Sequence, residues 1–205
     1  MGRTVLLPMG VLWLAAVTGG SLALFNYANT PGRDGCAPRQ WVADSAIKHD
    51  SGIPTLVMFA HPRCPCTRAS IGELNSLMAH CRGKVSANVV FYRPKSAEQW
   101  PESDLWRSAA AIPGVKVRWD DDGIEARRFH AQTSGSTLLY DSQGRLLFSG
   151  GITGARGHAG DNAGHAAVAA LLLGSVPDLT KTPVFGCALT GSESKCQEGG
   201  SSCHL

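Results

Sequence analysis

Two cysteines, Cys64 and Cys66, are separated by a single proline in the stretch HPRCPCTRAS at residues 61–70. This stretch follows the apolar run TLVMFA at 55–60, and apolar residues at three- and four-residue spacing come after it, which predicts a strand, the cysteines, then a helix. A thiol at the first turn of a helix faces unpaired backbone N–H groups and the positive end of the helix dipole, and both favour thiolate. Because thiolate is the nucleophile in thiol-disulfide exchange, the pattern predicts redox chemistry at a strand-to-helix junction that we expect to be exposed.

A disulfide between Cys64 and Cys66 is geometrically possible, because Cα atoms two residues apart in a turn fall within the roughly 4.4–6.8 Å range of disulfides. The ring is one residue smaller than in a C-x-x-C site, so we expect a strained and more oxidising bond. Pro65 fixes one φ angle in that ring, and Arg63 adds a positive charge beside the pair. His61 is a candidate proton donor to a leaving thiolate, or a metal ligand.

The apolar N-terminal stretch carries no charged side chain between Arg3 and Arg33. We predict a stub at 1–4 and a transmembrane helix at 5–27, since a helix of that length would extend about 34 Å and the hydrocarbon core of a bilayer is roughly 30 Å thick. A cleaved signal peptide is the alternative, although LFNYANTPG offers a poor cleavage site. With the stub inside, the soluble part would lie on the periplasmic or extracytoplasmic side, which suits a chain rich in cysteine.

Length and composition limit what the rest of the chain can be. With 205 residues, 43% hydrophobic and 17% charged, we expect one globular domain with additional segments. The formal charge of +3 is spread along the chain without a Lys/Arg block, so we expect no nucleic-acid partner. We predict a linker at 28–50, a domain at 51–178 and a cysteine-containing tail at 179–205.

The number of cysteines, seven, is odd, so at least one stays outside any set of internal disulfides. Cys81, on the apolar face of the predicted helix, is interpreted as a structural residue. A disulfide from Cys187 to Cys36 would fix the tail, but the sequence assigns no connectivity. The cysteines are Cys36, Cys64, Cys66, Cys81, Cys187, Cys196 and Cys203.

Periodicity and turn residues predict the order βαβαβαββα within the domain. Pro101 is acceptable in the first turn of the second helix, Asp161 or Asn162 can cap the last one, and Gly174 can end it. The glycine-rich stretch at 150–165, which contains Arg156, is interpreted as a loop packed near the active face. The predicted strands are 55–60, 86–94, 115–119 and a hairpin at 136–150 that turns at Asp141 and Gly144; the predicted helices are 66–81, 101–112, 124–131 and 161–174.

The apolar strand, the cysteine pair with proline directly before the second cysteine, the amphipathic helix and the hairpin TLLYDSQGRLLFSGG together resemble the thioredoxin superfamily. The likeness extends to membrane-anchored bacterial thioredoxin-like proteins, including the RedB type, and covers about residues 51–177. It implies an α/β, thioredoxin-like fold, in which a central mixed sheet is flanked by helices, behind one N-terminal transmembrane helix. It also implies thiol-disulfide oxidoreductase activity on protein thiols or disulfides without an organic cofactor, with Cys64 as nucleophile and Cys66 as resolving cysteine. The supporting residues are His61, Arg63, Pro65 and Ser136.

The sequence departs from that family in two ways. The usual site has two residues between its cysteines, so the nucleophile is displaced here, and the cis-proline that usually precedes the hairpin is replaced by the stretch at 134–137, in which Ser136 stands in its place. These departures leave two alternatives open. One is a Sco-like copper(I)-binding assembly factor with Cys64, Cys66 and His130 as ligands. The other is a thioredoxin-fold binding module without turnover.

Overall fold

The computed structural model describes residues 3–95 and 102–190. Its strands are β1 (Thr55–Ala60), β2 (Ser86–Arg93), β3 (Val115–Asp121), β4 (Ser136–Tyr140) and β5 (Leu146–Gly150). Its helices are α1 (Arg3–Asn29), α2 (Thr67–His80), α3 (Asp104–Ala110), α4 (Ile124–Arg128) and α5 (Ala163–Leu172). The predicted order of strands and helices in the domain is therefore confirmed.

One five-stranded mixed sheet organises the domain, with the strand order β3-β2-β1-β4-β5. Strands β1, β2 and β3 are parallel, whereas β4 runs antiparallel to β1 and β5 runs antiparallel to β4. The parallel strands are joined by helices, as crossover connections require. The closing antiparallel pair is the predicted hairpin.

The side chains of β1 alternate between two hydrophobic cores, which explains its uninterrupted apolar sequence. Leu56 and Met58 pack with α2, α3 and α5 on one face of the sheet. Val57 and Phe59 pack on the other face with residues of α4 and with Ile47. Helices therefore flank the sheet on both sides, as predicted, and the C-terminal end of β1 leads directly to the cysteine pair.

Local signals fix several of the element ends. The Asn162 side chain accepts a hydrogen bond from the backbone of His165 at 2.8 Å and caps α5, and Gly174 follows the helix with a φ of +81°. Helix α3 begins later than predicted, because Ser103 caps it. Pro101, which was placed in its first turn, lies outside the described residues.

The β4–β5 hairpin turns at the predicted residues. The Asp141 carboxylate accepts backbone hydrogen bonds from Gln143 at 2.9 Å and from Arg145 at 2.8 Å. Gly144 adopts a φ of +77°, where a side chain would be strained. This turn sets the register that places β4 beside β1.

The segment predicted as a linker contacts the domain. The backbone N–H of Trp41 donates to the carbonyl of Gly144 at 2.7 Å, and the hydroxyl of Tyr140 donates to the carbonyl of Pro38 at 3.0 Å. Ile47 is only 1% exposed. Much of the range 28–50 is thus part of the folded body, and its irregular backbone is satisfied by these long-range hydrogen bonds.

The beginning of the predicted tail also packs against the domain. The carbonyl of Thr180 accepts a hydrogen bond from the backbone of Ser149 at 3.0 Å, and the backbone N–H of Leu189 donates to Gln132 at 2.9 Å. The disulfide from Cys187 to Cys36, which the sequence left open, is not formed in the structure: both thiols are free, and Cys187 lies against Cys64. Cys196 and Cys203 lie outside the described residues.

Helix α1 is the element expected to span a membrane. Its stretch Pro8–Asn29 has a mean hydropathy of 1.6 with no buried residues, and it is long and apolar enough to cross a bilayer, a test that an N-terminal signal sequence also passes. Within residues 3–95 and 102–190 it is the one helix of that kind.

Candidate thiol site

Cys64 and Cys66 lie between the end of β1 and the start of α2, where the sequence predicted them. The carbonyl of Cys64 accepts a hydrogen bond from the backbone of Thr67 at 3.1 Å, and Cys66 is the residue that precedes the helix. Contrary to the expectation of an exposed junction, Cys64 is 1% exposed and Cys66 is 7% exposed. Other parts of the chain therefore cover the pair.

Cys187 covers Cys64 directly. Its backbone N–H donates to the Cys64 Sγ at 3.4 Å, and its thiol forms a second hydrogen bond with the same sulfur. The carbonyl of Cys187 accepts a hydrogen bond from the backbone of Ser134 at 2.8 Å. A Cβ on the neighbouring Gly186 would collide with the carbonyl oxygen of Ser134, so this close approach requires glycine. The sequence analysis placed Cys187 in the tail and did not predict it as a site residue.

A chain of hydroxyl groups reaches Cys64 from the other side. The Ser134 Oγ accepts a hydrogen bond from the backbone N–H of His61 at 2.8 Å and lies 2.7 Å from the Thr67 Oγ1. The Thr67 Oγ1 also donates to the carbonyl of His61 at 3.5 Å, and its hydroxyl interacts with the Cys64 sulfur. These contacts satisfy the buried hydroxyls and hold Thr67 beside the thiol.

These contacts change the acidity of Cys64. Burial alone would raise the pKa of this thiol, but hydrogen bonds from the thiol and amide of Cys187 and from the hydroxyl and amide of Thr67 outweigh burial and lower the pKa below 9.0. Hydrogen bonds to a charged group favour the charged form. The geometry therefore stabilises Cys64 as a thiolate.

The pKa values of the other two thiols, Cys66 and Cys187, shift in the opposite direction. Burial, followed by the charge on Cys64, raises the pKa of Cys66 above 9.0. Burial and the hydrogen bond to Cys64 raise the pKa of Cys187 to about 11. Cys64 is therefore the most acidic of the three thiols, which distinguishes a nucleophile from its two potential partners.

Arg156 connects the thiols with the end of α1. Its side chain hydrogen-bonds Cys66 and opposes the rise in the pKa of that thiol, and its Nη1 donates to the carbonyl of Gly186 at 2.6 Å. Its backbone N–H donates to Ala28 at 2.9 Å, and its guanidinium lies 5.1 Å from the ring centre of Tyr27. The glycine-rich loop thus reaches the thiols, as the sequence suggested, and it also links them to the helix expected in the membrane.

His61 and its neighbours border the pair. The His61 ring stacks on Tyr92 with centroids 5.7 Å apart, and its Nδ1 accepts a hydrogen bond from the backbone of Arg63 at 3.2 Å. Burial, and then the charge of Arg63, lower the pKa of His61 below 6.5, which favours the neutral ring. Pro65 is exposed, and its carbonyl accepts a hydrogen bond from the backbone of Arg68 at 3.3 Å in the first turn of α2.

Ser136 and His130 make their contacts elsewhere. The hydroxyl of Ser136 donates to the carbonyl of Thr133 at 2.7 Å, and the Nδ1 of His130 lies 2.7 Å from the carbonyl oxygen of Cys36. Within residues 3–95 and 102–190 there is no cis peptide bond, and no group of three or more His, Cys, Asp or Glu side chains is arranged to hold a metal ion. The copper ligand set that includes His130 is therefore not assembled in the structure.

The sequence analysis missed four residues of the site: Cys187, Ser134, Thr67 and Arg156. Thr67 could have been found, because it directly follows the cysteine pair in the first turn of the predicted helix. Ser134 belongs to the stretch that replaces the family's cis-proline, in which the sequence predicts Ser136 as the site residue. Cys187 lies 123 residues from Cys64 along the chain, and no local pattern indicates this contact.

Comparison with known proteins supports the architecture. No protein-family model and no curated protein matches the chain. A hypothetical protein from Sinorhizobium meliloti is 22% identical, with 80% of this chain and 96% of that one covered and a TM-score of 0.57. An uncharacterized conserved protein from Geobacillus kaustophilus is 22% identical, with 82% and 95% covered and a TM-score of 0.56. The strand order with three parallel strands and a closing antiparallel pair decides the fold. The domain has a thioredoxin-like fold.

More distant similarities include named members of this fold group. A secreted disulfide oxidoreductase from Mycobacterium tuberculosis, described as homologous to Escherichia coli DsbE, is 14% identical, with 62% of this chain and 84% of that one covered and a TM-score of 0.44. In the thioredoxin-like domain of this chain, Cys64 and Cys66 occupy the loop between the central strand β1 and α2.

Proposed function

We propose that the chain is a membrane-anchored thiol-disulfide oxidoreductase in which Cys64 is the nucleophile. One observation carries the proposal: at the start of a helix, the buried Cys64 Sγ accepts a hydrogen bond from the backbone N–H of Cys187 at 3.4 Å, and its contacts with Cys187 and Thr67 lower its pKa. A structural thiol in an apolar core does not need these contacts, and it would have a raised pKa, as Cys81 has. The distribution of acidity thus favours a reactive thiolate over an inert pair.

The reaction transfers two electrons between the chain and a protein partner. The Cys64 thiolate attacks one sulfur of a substrate disulfide, forms a mixed disulfide and releases the other substrate sulfur as a thiolate, which takes up a proton. A second cysteine of the chain then attacks the Cys64 sulfur and releases the second substrate thiol. The substrate disulfide is reduced and two thiols of the chain are oxidised to one disulfide. The same steps in reverse oxidise a substrate dithiol.

The burial of Cys64 sets a condition on this reaction. A protein disulfide can reach a sulfur in a residue that is 1% exposed only after the segment that carries Cys187 moves aside. Backbone hydrogen bonds hold that segment against the domain. It contributes few large apolar side chains to the core, Val184 and Leu189 among them. Such segments open locally at a lower free energy than core strands do.

Anchoring would keep the site close to a membrane surface. Helix α1 has the length and composition of a membrane span, and Arg156 joins its last turn to the thiols. We place the thioredoxin-like domain on the periplasmic or extracytoplasmic side, where disulfides persist. Its partners are then protein thiols or disulfides near that surface.

A redox titration of the full chain in detergent micelles tests the proposal. The protein is equilibrated in a series of glutathione redox buffers, its free thiols are trapped with an alkylating mass tag, and the tags are located by peptide mapping. We expect Cys64 and one other cysteine to convert together as a two-electron couple, and the couple to be lost in Cys64→Ser. Cys36→Ser is the matched control, because Cys36 is exposed and free. A Cys64 that stays reduced across the whole series would show that the proposed exchange is wrong.

A further inference from the structure

Three thiols meet at the site, whereas a two-electron disulfide needs two. The Cys64 Sγ accepts a hydrogen bond from the backbone N–H of Cys187 at 3.4 Å, and its charge acts on the thiols of both Cys66 and Cys187. Cys66 follows it after one proline, and Cys187 approaches from a segment that packs across the C-terminal end of β1. The choice between these two partners decides how the mixed disulfide is resolved.

We propose that Cys187 is the resolving cysteine and that the oxidised protein carries a Cys64–Cys187 disulfide. This inference rests on the proposed oxidoreductase function. It assigns a catalytic role to a residue that lies outside the Cys-Pro-Cys stretch, and it makes the segment around Cys187 a working part of the site.

The position of Cys66 makes it the poorer partner. Its backbone has helical angles, with a φ of −66° and a ψ of −26°, and its carbonyl accepts a hydrogen bond from Ala69 at 3.1 Å in the first turn of α2. A bond to Cys64 would close a small ring through Pro65, whose φ angle is fixed. Forming that ring would require a change in the loop or in the start of the helix.

Cys187 needs no such ring. Its backbone N–H donates to the Cys64 Sγ at 3.4 Å, so the fold already holds Cys187 against this sulfur. Hydrogen bonds on each side hold the segment at this position: Arg156 to the carbonyl of Gly186 at 2.6 Å, Ser134 to the carbonyl of Cys187 at 2.8 Å, and Leu189 to the carbonyl of Gln132 at 2.9 Å. The partner is thus placed by the fold and not by the short loop.

The charge on Cys64 also regulates when Cys187 can ionise. The Cys64 thiolate contributes to the raised pKa of Cys187, and Arg156 opposes it. When Cys64 forms a mixed disulfide its negative charge disappears, so this contribution is lost and Cys187 gives up its proton more easily. The pKa of Cys66 falls for the same reason, so acidity does not distinguish the two partners. The difference between them is their geometry.

The resolving step balances as follows. The Cys187 sulfur attacks the Cys64 sulfur of the mixed disulfide, the bond between Cys64 and the substrate breaks, and the bond between Cys64 and Cys187 forms. The substrate sulfur leaves with the electron pair and takes up the proton that Cys187 lost. Over both steps the substrate disulfide becomes two thiols, and the thiols of Cys64 and Cys187 become one disulfide.

Mapping the disulfide in the full chain tests the inference. The protein in detergent micelles is oxidised in glutathione redox buffer, free thiols are alkylated, and cross-linked peptides are identified by mass spectrometry. We expect a peptide that joins Cys64 to Cys187, with Cys66 alkylated. In Cys66→Ser the couple should persist, whereas in Cys187→Ser it should be lost and glutathione should accumulate on Cys64; Cys36→Ser should behave like the wild type.

The two proposals fail in different ways. A Cys64–Cys66 disulfide with Cys187 alkylated, or a bond from Cys64 to Cys196 or Cys203, would overturn the role of Cys187 and leave the oxidoreductase function intact. A Cys64 that is oxidised in none of the variants would overturn both. The mapping of the wild-type chain does not depend on whether any variant folds.

Discussion

Replacing Thr67 with valine removes one of the four hydrogen bonds that lower the pKa of Cys64. Thr67 is buried, with 1% of its surface exposed, and valine keeps its size and β-branching. The substitution removes the hydroxyl that donates to the Cys64 sulfur, and it leaves the amide of Thr67 and both donors from Cys187 in place. It also removes the contact between the hydroxyls of Thr67 and Ser134, which lie 2.7 Å apart.

The size of the effect follows from the value of such a hydrogen bond. A hydrogen bond to a charged group contributes about 1.5–3 kcal/mol, and one pKa unit corresponds to about 1.4 kcal/mol. Full loss would raise the pKa of Cys64 by about one to two units. Because three donors remain and can shorten their contacts, we expect a rise of about one unit.

The pH dependence of alkylation at Cys64 measures this change. The rate of reaction with iodoacetamide is followed by mass spectrometry of the Cys64 peptide, and the midpoint of the rate against pH gives the pKa. Thr55→Val is the matched control, since Thr55 is fully buried and its hydroxyl accepts a hydrogen bond from the backbone of Asp50 at 2.9 Å, away from the site. An unchanged or lower midpoint in Thr67→Val would refute the assignment of Thr67 as a donor to the thiolate.

Three further changes test other parts of the site. Arg156→Met should raise the pKa of Cys66 further, because the cation opposes the rise, and Arg156→Lys should raise it less; alkylation of the Cys66 peptide against pH measures both. The pKa of Cys187 is about 11 in the folded protein and near 9.0 in the unfolded chain, so ionisation between these pH values favours the unfolded state. The thermal stability of the wild type should therefore fall more steeply over this pH range than that of Cys187→Ser. Gly186→Ala should lower the melting temperature and raise the pKa of Cys64, because its Cβ would collide with the carbonyl oxygen of Ser134 and displace Cys187.

The sequence predicts most of the regular structure because those elements carry local signals. The apolar run of β1, the cap at Asn162 and the hairpin turn at Gly144 each depend on residues that are close together along the chain. The segments at 30–47 and 180–190 lack periodicity, and long-range contacts such as Gln40 with Arg145 satisfy their backbone. Their place in the folded body therefore could not be predicted from local pattern.

The site shows the same division between local and distant signals. The spacing of Cys64 and Cys66 identifies a candidate redox pair, and the predicted helix start explains why a thiolate is favoured there. The direction of each pKa shift, and the third thiol, depend on Cys187 and Arg156, which come from segments distant along the chain. The exposure of the pair was predicted wrongly for the same reason, because the covering segment belongs to the supposed tail.

Access and acidity at Cys64 are coupled by that covering segment. Moving it aside to admit a substrate exposes the Cys64 sulfur and at the same time removes both hydrogen bonds from Cys187. In the open state the donors that remain are the hydroxyl and amide of Thr67, together with the start of α2. In the proposed reaction, the stability of the thiolate at the moment of attack thus depends on Thr67, whereas Cys187 favours the thiolate before opening and returns for the resolving step. Loss of the Thr67 hydroxyl should consequently slow the first exchange step more than the second, and loss of the Cys187 thiol should affect the second.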